Sequence, residues 1–186
     1  MSGVLRTKRR LDRETREHYQ LMVQAYDAGI PEMTSTVKVA VQILDLNDNP
    51  PKFPNDTLVF LFPENQPENS KVGTVTVTDP DLGKHSHVQF KLLETGDSNL
   101  FYIGESTGGS TNIYSKSELD YEVDRREYQL LLRAESEPLR SDVVVLVKIT
   151  DVNDNVPNME NFEIIFNNRI NAYFSEPIAH VPGLAT

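Results

Sequence analysis

Two sequence landmarks recur at nearly the same interval, and this internal repeat limits the possible folds more than any other feature of the chain. The string LDRETREHYQL begins at Leu11, and LDYEVDRREYQL begins at Leu119, 108 residues later. DLNDNPP begins at Asp45, and DVNDNVP begins at Asp151, 106 residues later. Tandem copies of one domain explain both intervals. A repeat of this length matches a small β-sandwich and is too long for a solenoid unit.

Short strand patterns fill the chain between these landmarks. Apolar and polar residues alternate in TVKVAVQIL, residues 36–44, and DVVVLVKIT, residues 142–150, has the same place in the second copy. The segment TREHYQLMVQAYD, residues 15–27, has apolar spacing that would also suit a helix. Its part YQLMVQAYD, residues 19–27, matches YQLLLRAES, residues 128–136, in the second copy, and this repeat partner favours a strand. Further strand patterns between glycine and proline turns are TLVFLFPEN, KVGTVTVTD, HVQFKLLE and FEIIFNN. We therefore predict an all-β fold of tandem Greek-key antiparallel β-sandwiches with immunoglobulin-like architecture.

The landmarks also divide the chain into unequal copies of the repeat. Residues 1–51 are expected to hold the C-terminal part of one repeat, and residues 52–157 a complete repeat. Residues 158–186 are expected to hold the N-terminal fragment of a third. The chain is therefore predicted to be cut from a longer array.

The charge balance of the chain excludes some classes of partner. Lys and Arg total 18 and Asp and Glu total 28, which gives a formal net charge of −10. Nucleic acid is not expected as a partner, because binding to phosphates requires a basic face. The longest apolar run, VVVLV at residues 143–147, is too short to span a bilayer. Asn55 begins an Asn-Asp-Thr triplet and is a glycosylation candidate, although an unmodified turn explains the triplet equally well.

The most unusual local feature is the concentration of oxygen-bearing side chains in the two DxNDN strings. Solvated turns would explain one such string, but not its recurrence at a strand end before proline. An EF-hand loop requires Gly at its sixth position and Glu at its twelfth. Pro50 and Asp56 stand there in the first copy, and Val156 and Phe162 in the second, so this interpretation fails.

Two further interpretations give the DxNDN side chains a chemical role, either in catalysis or in metal binding. Paired carboxylates can perform acid/base catalysis, as in glycosidases, but catalytic residues are not expected to recur in every domain. Calcium, in contrast, takes six to eight oxygen ligands and accepts carboxylates, amide oxygens and backbone carbonyls. Each DxNDN string offers all three kinds of ligand where one domain ends and the next begins. We therefore predict Ca²⁺ bound between domains.

In combination, the motifs DxNDNxP, LDRE and DPD (residues 79–81) resemble the cadherin repeat, and the match covers nearly the whole chain. The strings LDYEVDRREY, RAESEPL and NFEIIFNN are most similar to the later ectodomain repeats of the Flamingo/Celsr seven-pass cadherins. The resemblance implies a calcium ligand set at each junction between repeats. At the first junction, around residues 45–49, the implied ligands are Asp12, Glu14, Asp45, the Leu46 carbonyl, Asn47, Asp48, the Asn49 carbonyl, Asp79, Asp81 and a carbonyl near His85. At the second junction, around residues 151–155, they are Glu64, Asp120, Glu122, Asp151, the Val152 carbonyl, Asn153, Asp154 and the Asn155 carbonyl.

The chain departs from the family pattern in three places. The acid that the family places on a late strand is present in the first copy as Asp27, but Ser136 replaces it in the second. Glu135 is adjacent, yet on a strand it points to the opposite face. The base glutamate of the first partial repeat is expected before Met1, and the chain stops before the third repeat's DxD motif. Because Ser136 replaces an acid, we expect the outer calcium position at the first junction to be weakened.

The resemblance implies a non-enzymatic, calcium-rigidified segment of a cell–cell adhesion receptor, in the extracellular part of a membrane-anchored plasma-membrane protein. Its expected partner is the same receptor on a neighbouring cell. A calcium-dependent carbohydrate-binding or hydrolytic β-sandwich is an alternative, although the chain contains no Trp to stack on a sugar. A passive spacer without a direct partner is another, and the sequence does not separate it from an adhesive role.

Overall fold

The computed structural model describes residues 3–156. The chain divides into two compact units, Met1–Val152 and Asn153–Thr186. Nine strands occur in the described residues: β1 His18–Tyr26, β2 Thr34–Gln42, β3 Thr57–Pro63, β4 Lys71–Thr76, β5 Gln89–Leu92, β6 Phe101–Ile103, β7 Ser110–Ser115, β8 Glu127–Ser136 and β9 Leu139–Thr150. Two short 3₁₀ turns, Gly83–Ser86 and Ser98–Leu100, are the only helical segments there. None of the helical segments within residues 3–156 has the length and apolar character needed to cross a membrane.

The strands form three sheets. β1 and β2 pair as an antiparallel hairpin. A four-stranded sheet has the order β3-β9-β8-β5, and a three-stranded sheet has the order β4-β7-β6. Every strand pair is antiparallel except β3–β9, which runs parallel from Thr57 opposite Val144 to Pro63 opposite Thr150. This arrangement is possible because the rest of the domain lies between β3 and β9 in the chain and supplies the long connection that parallel pairing requires. The all-β prediction is confirmed.

The hydrophobic core lies between the four-stranded and three-stranded sheets. Alternate residues of β8 are buried from Tyr128 to Ser136, as expected for a strand with one face on a core. Phe101 of β6 meets Tyr128 edge to face, with ring centroids 5.6 Å apart, so an aromatic pair joins the two sheets. Gly73 in β4 allows a similarly close approach, because a Cβ there would lie 2.3 Å from the Phe60 ring. Packing in the core therefore sets the position of the four-stranded sheet against the three-stranded sheet.

Two strands were not predicted from the sequence. β6 has only three residues, and β7 has the largely polar sequence STNIYS. The interior face of β7 is formed by Thr111, Ile113 and Ser115, which are all buried. Small polar residues on the buried face hide the alternation by which a strand is normally recognised. The predicted strand FEIIFNN, residues 162–168, lies outside the described residues.

The β1–β2 hairpin differs from the rest of the structure in its exposure. Its apolar residues Met22, Tyr26 and Val37 are exposed. A two-stranded hairpin gains little stability alone. Its contribution to the candidate site is to carry the turn at residues 12–15, which a hydrogen bond from Ile43 N to Glu17 O attaches to the end of β2. The proposed boundaries at residues 51 and 157 remain a prediction.

Candidate metal centre

The LDRE motif forms a compact turn before β1. The Asp12 carboxylate accepts hydrogen bonds from Glu14 N at 2.9 Å, Thr15 N at 3.3 Å and the Thr15 hydroxyl at 2.6 Å. The hydroxyl bond is the main reason why the pKa of Asp12 lies below its ordinary value. Burial, in contrast, raises the pKa of Glu14. Asp12 thus fixes the turn, and the turn presents Glu14.

Glu14, Asp45 and Asp81 bring their carboxylates together at the first junction. Oxygen atoms of the three groups lie within 4.8 Å of one another. Glu14 comes from the turn before β1, Asp45 from the linker after β2, and Asp81, which is 3% exposed, from the loop after β4. Three anions at this separation repel one another unless positive charge is supplied. We name this group the first acid cluster.

Arg13 supplies positive charge to the first acid cluster, and the sequence analysis missed it. Its guanidinium forms an ion pair with Glu14, and its Nε lies 2.7 Å from Asp45 Oδ1, an ion-pair distance without the angle of a hydrogen bond. Its Nη2 donates to the Pro80 carbonyl at 2.8 Å. The only signal in the sequence was its position between the two acids of LDRE.

Asp45 has further partners on its second oxygen. His85 Nδ1 lies 2.6 Å from Asp45 Oδ2, and Leu82 N donates to the same atom at 3.1 Å. Burial alone would raise the pKa of Asp45, but the hydrogen bonds from His85 and Leu82 and the charge of Arg13 together hold it below its ordinary value. The sequence predicted a carbonyl ligand near His85. The structure places its ring against the acid, and the role of the carbonyl stays a prediction.

The linker side chains connect to the complete repeat at two places. Asn49 donates from Nδ2 to Asp81 Oδ1 at 2.7 Å and from its backbone to Asp81 Oδ2 at 3.2 Å. Asn47 donates from Nδ2 to the carbonyls of Glu137 at 2.7 Å and Ser136 at 3.2 Å. Asp48 is exposed and accepts a hydrogen bond from Asn49. Asp45 and Asn49 of DLNDNPP therefore meet Asp81 of DPD, whereas Asp48 has only its neighbour Asn49 as a partner in the described residues.

The oxygen chemistry of this region fits a hard cation. Asn47 Oδ1 and Asp79 Oδ2 are buried, and neither accepts a hydrogen bond from residues 3–156. Buried oxygen atoms in folded proteins normally have a donor or an ion as partner. Calcium prefers this set of carboxylate and amide oxygens. The residues present thus fit the ion that the sequence predicts.

A second acid cluster is formed by Glu64, Glu122 and Asp151, whose carboxylate oxygens also lie within 4.8 Å of one another. Glu64 is 1% exposed, and its two oxygens each accept a backbone hydrogen bond of 2.6 Å, from Val152 N and from Tyr121 N. Backbone amides therefore hold the buried carboxylate in place.

The LDYE turn repeats the construction of the first turn. Asp120 Oδ1 accepts hydrogen bonds from Glu122 N at 2.9 Å and Val123 N at 3.1 Å. The other predicted ligands of the second junction, Asn153, Asp154 and Asn155, belong to the second compact unit, within which Asn155 Nδ2 donates to Asp154 Oδ1 at 2.8 Å. The ligand roles of the carbonyls of Leu46, Asn49, Val152 and Asn155 stay predictions.

Ser136, which replaces the acid of the family pattern, lies at the buried end of β8. It is 2% exposed, and its hydroxyl has no hydrogen-bond partner in the described residues. Glu135 lies on the opposite face, where it pairs with Lys91. Asn55 is exposed, as a glycan acceptor must be, but its modification stays a prediction.

Sequence comparison places the chain beside known proteins. The family description "Cadherin domain" matches residues 1–44 and 58–150. Protocadherin-like wing polarity protein stan of Drosophila melanogaster is 38% identical over 182 residues, covering 97% of this chain and 5% of that protein. Cadherin EGF LAG seven-pass G-type receptor 2 of Homo sapiens is 41% identical over 169 residues, covering 91% of this chain and 6% of that protein. The chain thus spans only a small part of the length of these relatives.

Solved structures show the same architecture. Protocadherin Gamma B2 extracellular cadherin domains 3–6 match with a TM-score of 0.72 and 30% identity, covering 82% of this chain and 37% of that one. Protocadherin Gamma B7 extracellular cadherin domains 1–4 match with a TM-score of 0.69 and 30% identity, covering 78% and 35%. The predicted immunoglobulin-like β-sandwich fold is confirmed.

Proposed function

Because this chain belongs to the cadherin family, we propose that it is a calcium-rigidified segment of a cell–cell adhesion receptor. It lies in the extracellular part of a plasma-membrane protein, as the cadherin repeats of its relatives do. Those relatives are cadherins and receptors, and we propose a structural and binding role without catalysis.

The observation that carries the proposal is the convergence of three distant chain segments on the first acid cluster. Glu14, Asp45 and Asp81 are separated widely in sequence, yet their carboxylates lie within 4.8 Å. Each additional anion disfavours this arrangement, so the fold holds the acids together against repulsion. Arg13 offsets part of this negative charge, and a bound calcium ion would offset the rest and join the linker to the domains on both sides.

We propose calcium ligands at both junctions. In the first, the side chains come from the two acids of LDRE, the linker and the DPD loop, namely Asp12, Glu14, Asp45, Asn47, Asp48, Asp79 and Asp81. In the second, they are Glu64, Asp120, Glu122, Asp151, Asn153 and Asp154. Extracellular modules typically bind calcium with Kd values of roughly 10⁻⁴–10⁻³ M. Such sites would fill outside the cell, so the joints would be stiff there.

Isothermal titration tests the assignment at the first junction. Glu14→Gln keeps the side-chain size but removes one anionic ligand, so we expect calcium affinity to fall several-fold. Glu17→Gln, on the same segment but outside the acid cluster, is the matched control and should bind like the unaltered protein. Equal affinities for Glu14→Gln and its control would remove Glu14 from the ligand set. Absence of any calcium-specific heat in the unaltered protein would reject the calcium proposal.

We further propose that the partner is a second copy of the same receptor on a neighbouring cell. Beads coated with this chain, extended upstream and downstream by the parent's own repeats, should cluster in millimolar calcium and disperse in EGTA. Beads coated with an unrelated calcium-binding protein should stay outside the clusters. Beads that remain single in calcium would instead favour the passive spacer.

A further inference from the structure

The side chain of Asn47 connects the linker to the turn between β8 and β9. Its Nδ2 donates to Glu137 O at 2.7 Å and to Ser136 O at 3.2 Å. The acceptors lie 90 and 89 residues away in sequence, within the complete repeat. Both acceptors are backbone carbonyls, so the contact depends on the path of the turn and not on the identity of its side chains.

The two ends of the Asn47 amide have different partners. Nδ2 provides both hydrogens to the turn, while the buried Oδ1 accepts no hydrogen bond from the described residues. The nitrogen end can therefore hold the turn while the oxygen end remains free to bind a cation. No charge participates in the contact with the turn, so this contact does not need a metal.

The contact of Asn47 lies where this chain departs from the family pattern. Ser136 stands where the family pattern has an acid, and its neutral hydroxyl cannot provide an anionic ligand there. The same residue's backbone carbonyl, together with that of Glu137, instead accepts the Asn47 hydrogens. At this edge of the first junction, hydrogen bonds stand where a carboxylate–metal contact is expected.

We propose that Asn47 is a calcium-independent latch that keeps the linker attached to the β8–β9 turn when calcium is absent. This inference rests on the proposed function only in treating residues 45–49 as a calcium-binding junction. The latch restrains the joint in low calcium, and the acid clusters add calcium-dependent stiffness. The first junction would therefore loosen only in part when calcium is removed.

Asn47→Asp provides the decisive variant, because Asp has nearly the same shape and keeps an oxygen ligand but loses the NH₂ group. The chain has no cysteine, so Lys38→Cys and Lys116→Cys place spin labels on the hairpin and on the complete repeat without interference. The distance distribution between the labels is measured in EGTA and in millimolar calcium. Leu46→Asp, which adds the same charge at the exposed neighbouring position of the same linker, is the matched control.

In EGTA, we expect a narrow distribution of label distances for the unaltered sequence and for Leu46→Asp, and a broad one for Asn47→Asp. In calcium, Asn47→Asp should become narrow again, because its carboxylate can still act as a ligand. The Asn47 side-chain NH₂ should also exchange with solvent about fivefold more slowly than an exposed amide, as expected for a net hydrogen bond. Identical EGTA distributions for Asn47→Asp and the unaltered sequence would overturn the latch.

The outcomes separate the latch from the calcium proposal. Calcium could leave every distance distribution unchanged while Asn47→Asp has a broader distribution in EGTA than the unaltered sequence. The latch would then stand, and the calcium proposal would fail. If calcium narrows the distributions while all variants coincide in EGTA, the latch fails and the calcium proposal stands.

Discussion

The two acid clusters are built from the same repeated motif but are neutralised differently. In the first, LDRE places Arg13 among the carboxylates, where it pairs with Glu14 and Asp45. In the second, LDYE has Tyr121 at that position, and the backbone N–H of Tyr121 donates to the buried Glu64. The first cluster thus contains a side-chain cation beside its backbone donors Leu82 N and Asn49 N, and the second holds its buried Glu64 with backbone donors.

The difference implies that the motif specifies the position of the acids but not which groups balance their negative charge. A guanidinium can be displaced by a metal, whereas a backbone amide cannot leave without unfolding its turn. We therefore expect the first cluster to respond to calcium by exchanging partners, and the second to be part of the fold whether calcium is present or not.

Among the variants that test the contrast between the two acid clusters, Glu64→Ala should have the largest effect. The change leaves the backbone N–H groups of Tyr121 and Val152 without their charged acceptor, which we expect to lower the free energy of unfolding by about 3 kcal/mol in EGTA. Urea denaturation measures the loss. The control is Glu122→Ala in the same cluster, where the exposed carboxylate should contribute less than about 1 kcal/mol. Similar losses for both variants would mean that the backbone contacts of Glu64 do not matter.

The effect of Ser136→Asp on the free energy of unfolding should depend on calcium. Without calcium, a carboxylate at this buried position should lower the free energy of unfolding by about 2 kcal/mol. In millimolar calcium the added ligand should offset that loss and increase calcium affinity. Ser115→Asp is the control, because Ser115 is equally buried and its hydroxyl also has no hydrogen-bond partner in the described part of the chain. A loss that calcium leaves unchanged in both variants would show that Ser136 is not near a calcium position.

Arg13→Gln tests the internal cation directly. Without calcium, its loss should increase repulsion in the first acid cluster and lower the free energy of unfolding by about 1.5 kcal/mol. In millimolar calcium the difference should shrink, because the metal supplies the charge. Arg16→Gln removes a neighbouring cation that lies over the Tyr19 ring and serves as control. Equal losses for Arg13→Gln with and without calcium would contradict an exchange of partners.

The smallest effect is expected where the two turns differ by one hydroxyl. Thr15 donates to Asp12, whereas Val123 has the corresponding position in the second turn. Thr15→Val should therefore raise the pKa of Asp12 towards its ordinary value of 3.8. Because the pKa is lowered in the fold, the stability that Asp12 contributes is present above pH 3.8 and is lost as the pH falls through the folded value.

A carboxyl-carbon NMR titration measures this change. The Asp12 midpoint should move upward in Thr15→Val and stay in place in Thr36→Val, a matched change on exposed β2. An unmoved midpoint in both variants would exclude the hydroxyl as the cause.

The sequence predicted the parts of this structure that follow from repetition and alternation. Strands β1, β2, β8 and β9 were anticipated because paired copies reinforced each pattern, and the acids of both clusters followed from the cadherin resemblance. β7 was missed because Thr111 and Ser115 disguise its buried face. The parallel pairing of β3 with β9 depends on how the whole domain closes, which no local pattern records.

Contacts within the site were less predictable for a different reason. The roles of Arg13, Asn47 and the His85 ring depend on side-chain direction and on partners distant in sequence. In the sequence, Arg13 was visible only as a residue between two acids, and Asn47 was expected to act through its oxygen alone. A motif gives the residue types at a site, whereas rotamers and the neighbouring loop determine which atom of each residue is used.

The parallel pairing of β3 and β9 has a mechanical consequence. In the proposed role, tension would enter the repeat before β3 and leave it after β9. With Thr57 beside Val144 and Pro63 beside Thr150, pulling on the two chain ends slides the strands along each other. The backbone bonds between them then bear the load together in shear, and none can open singly as in a zipper. A repeat built in this way would resist traction along its axis, which under the proposed adhesive role is the direction in which two attached cells would pull.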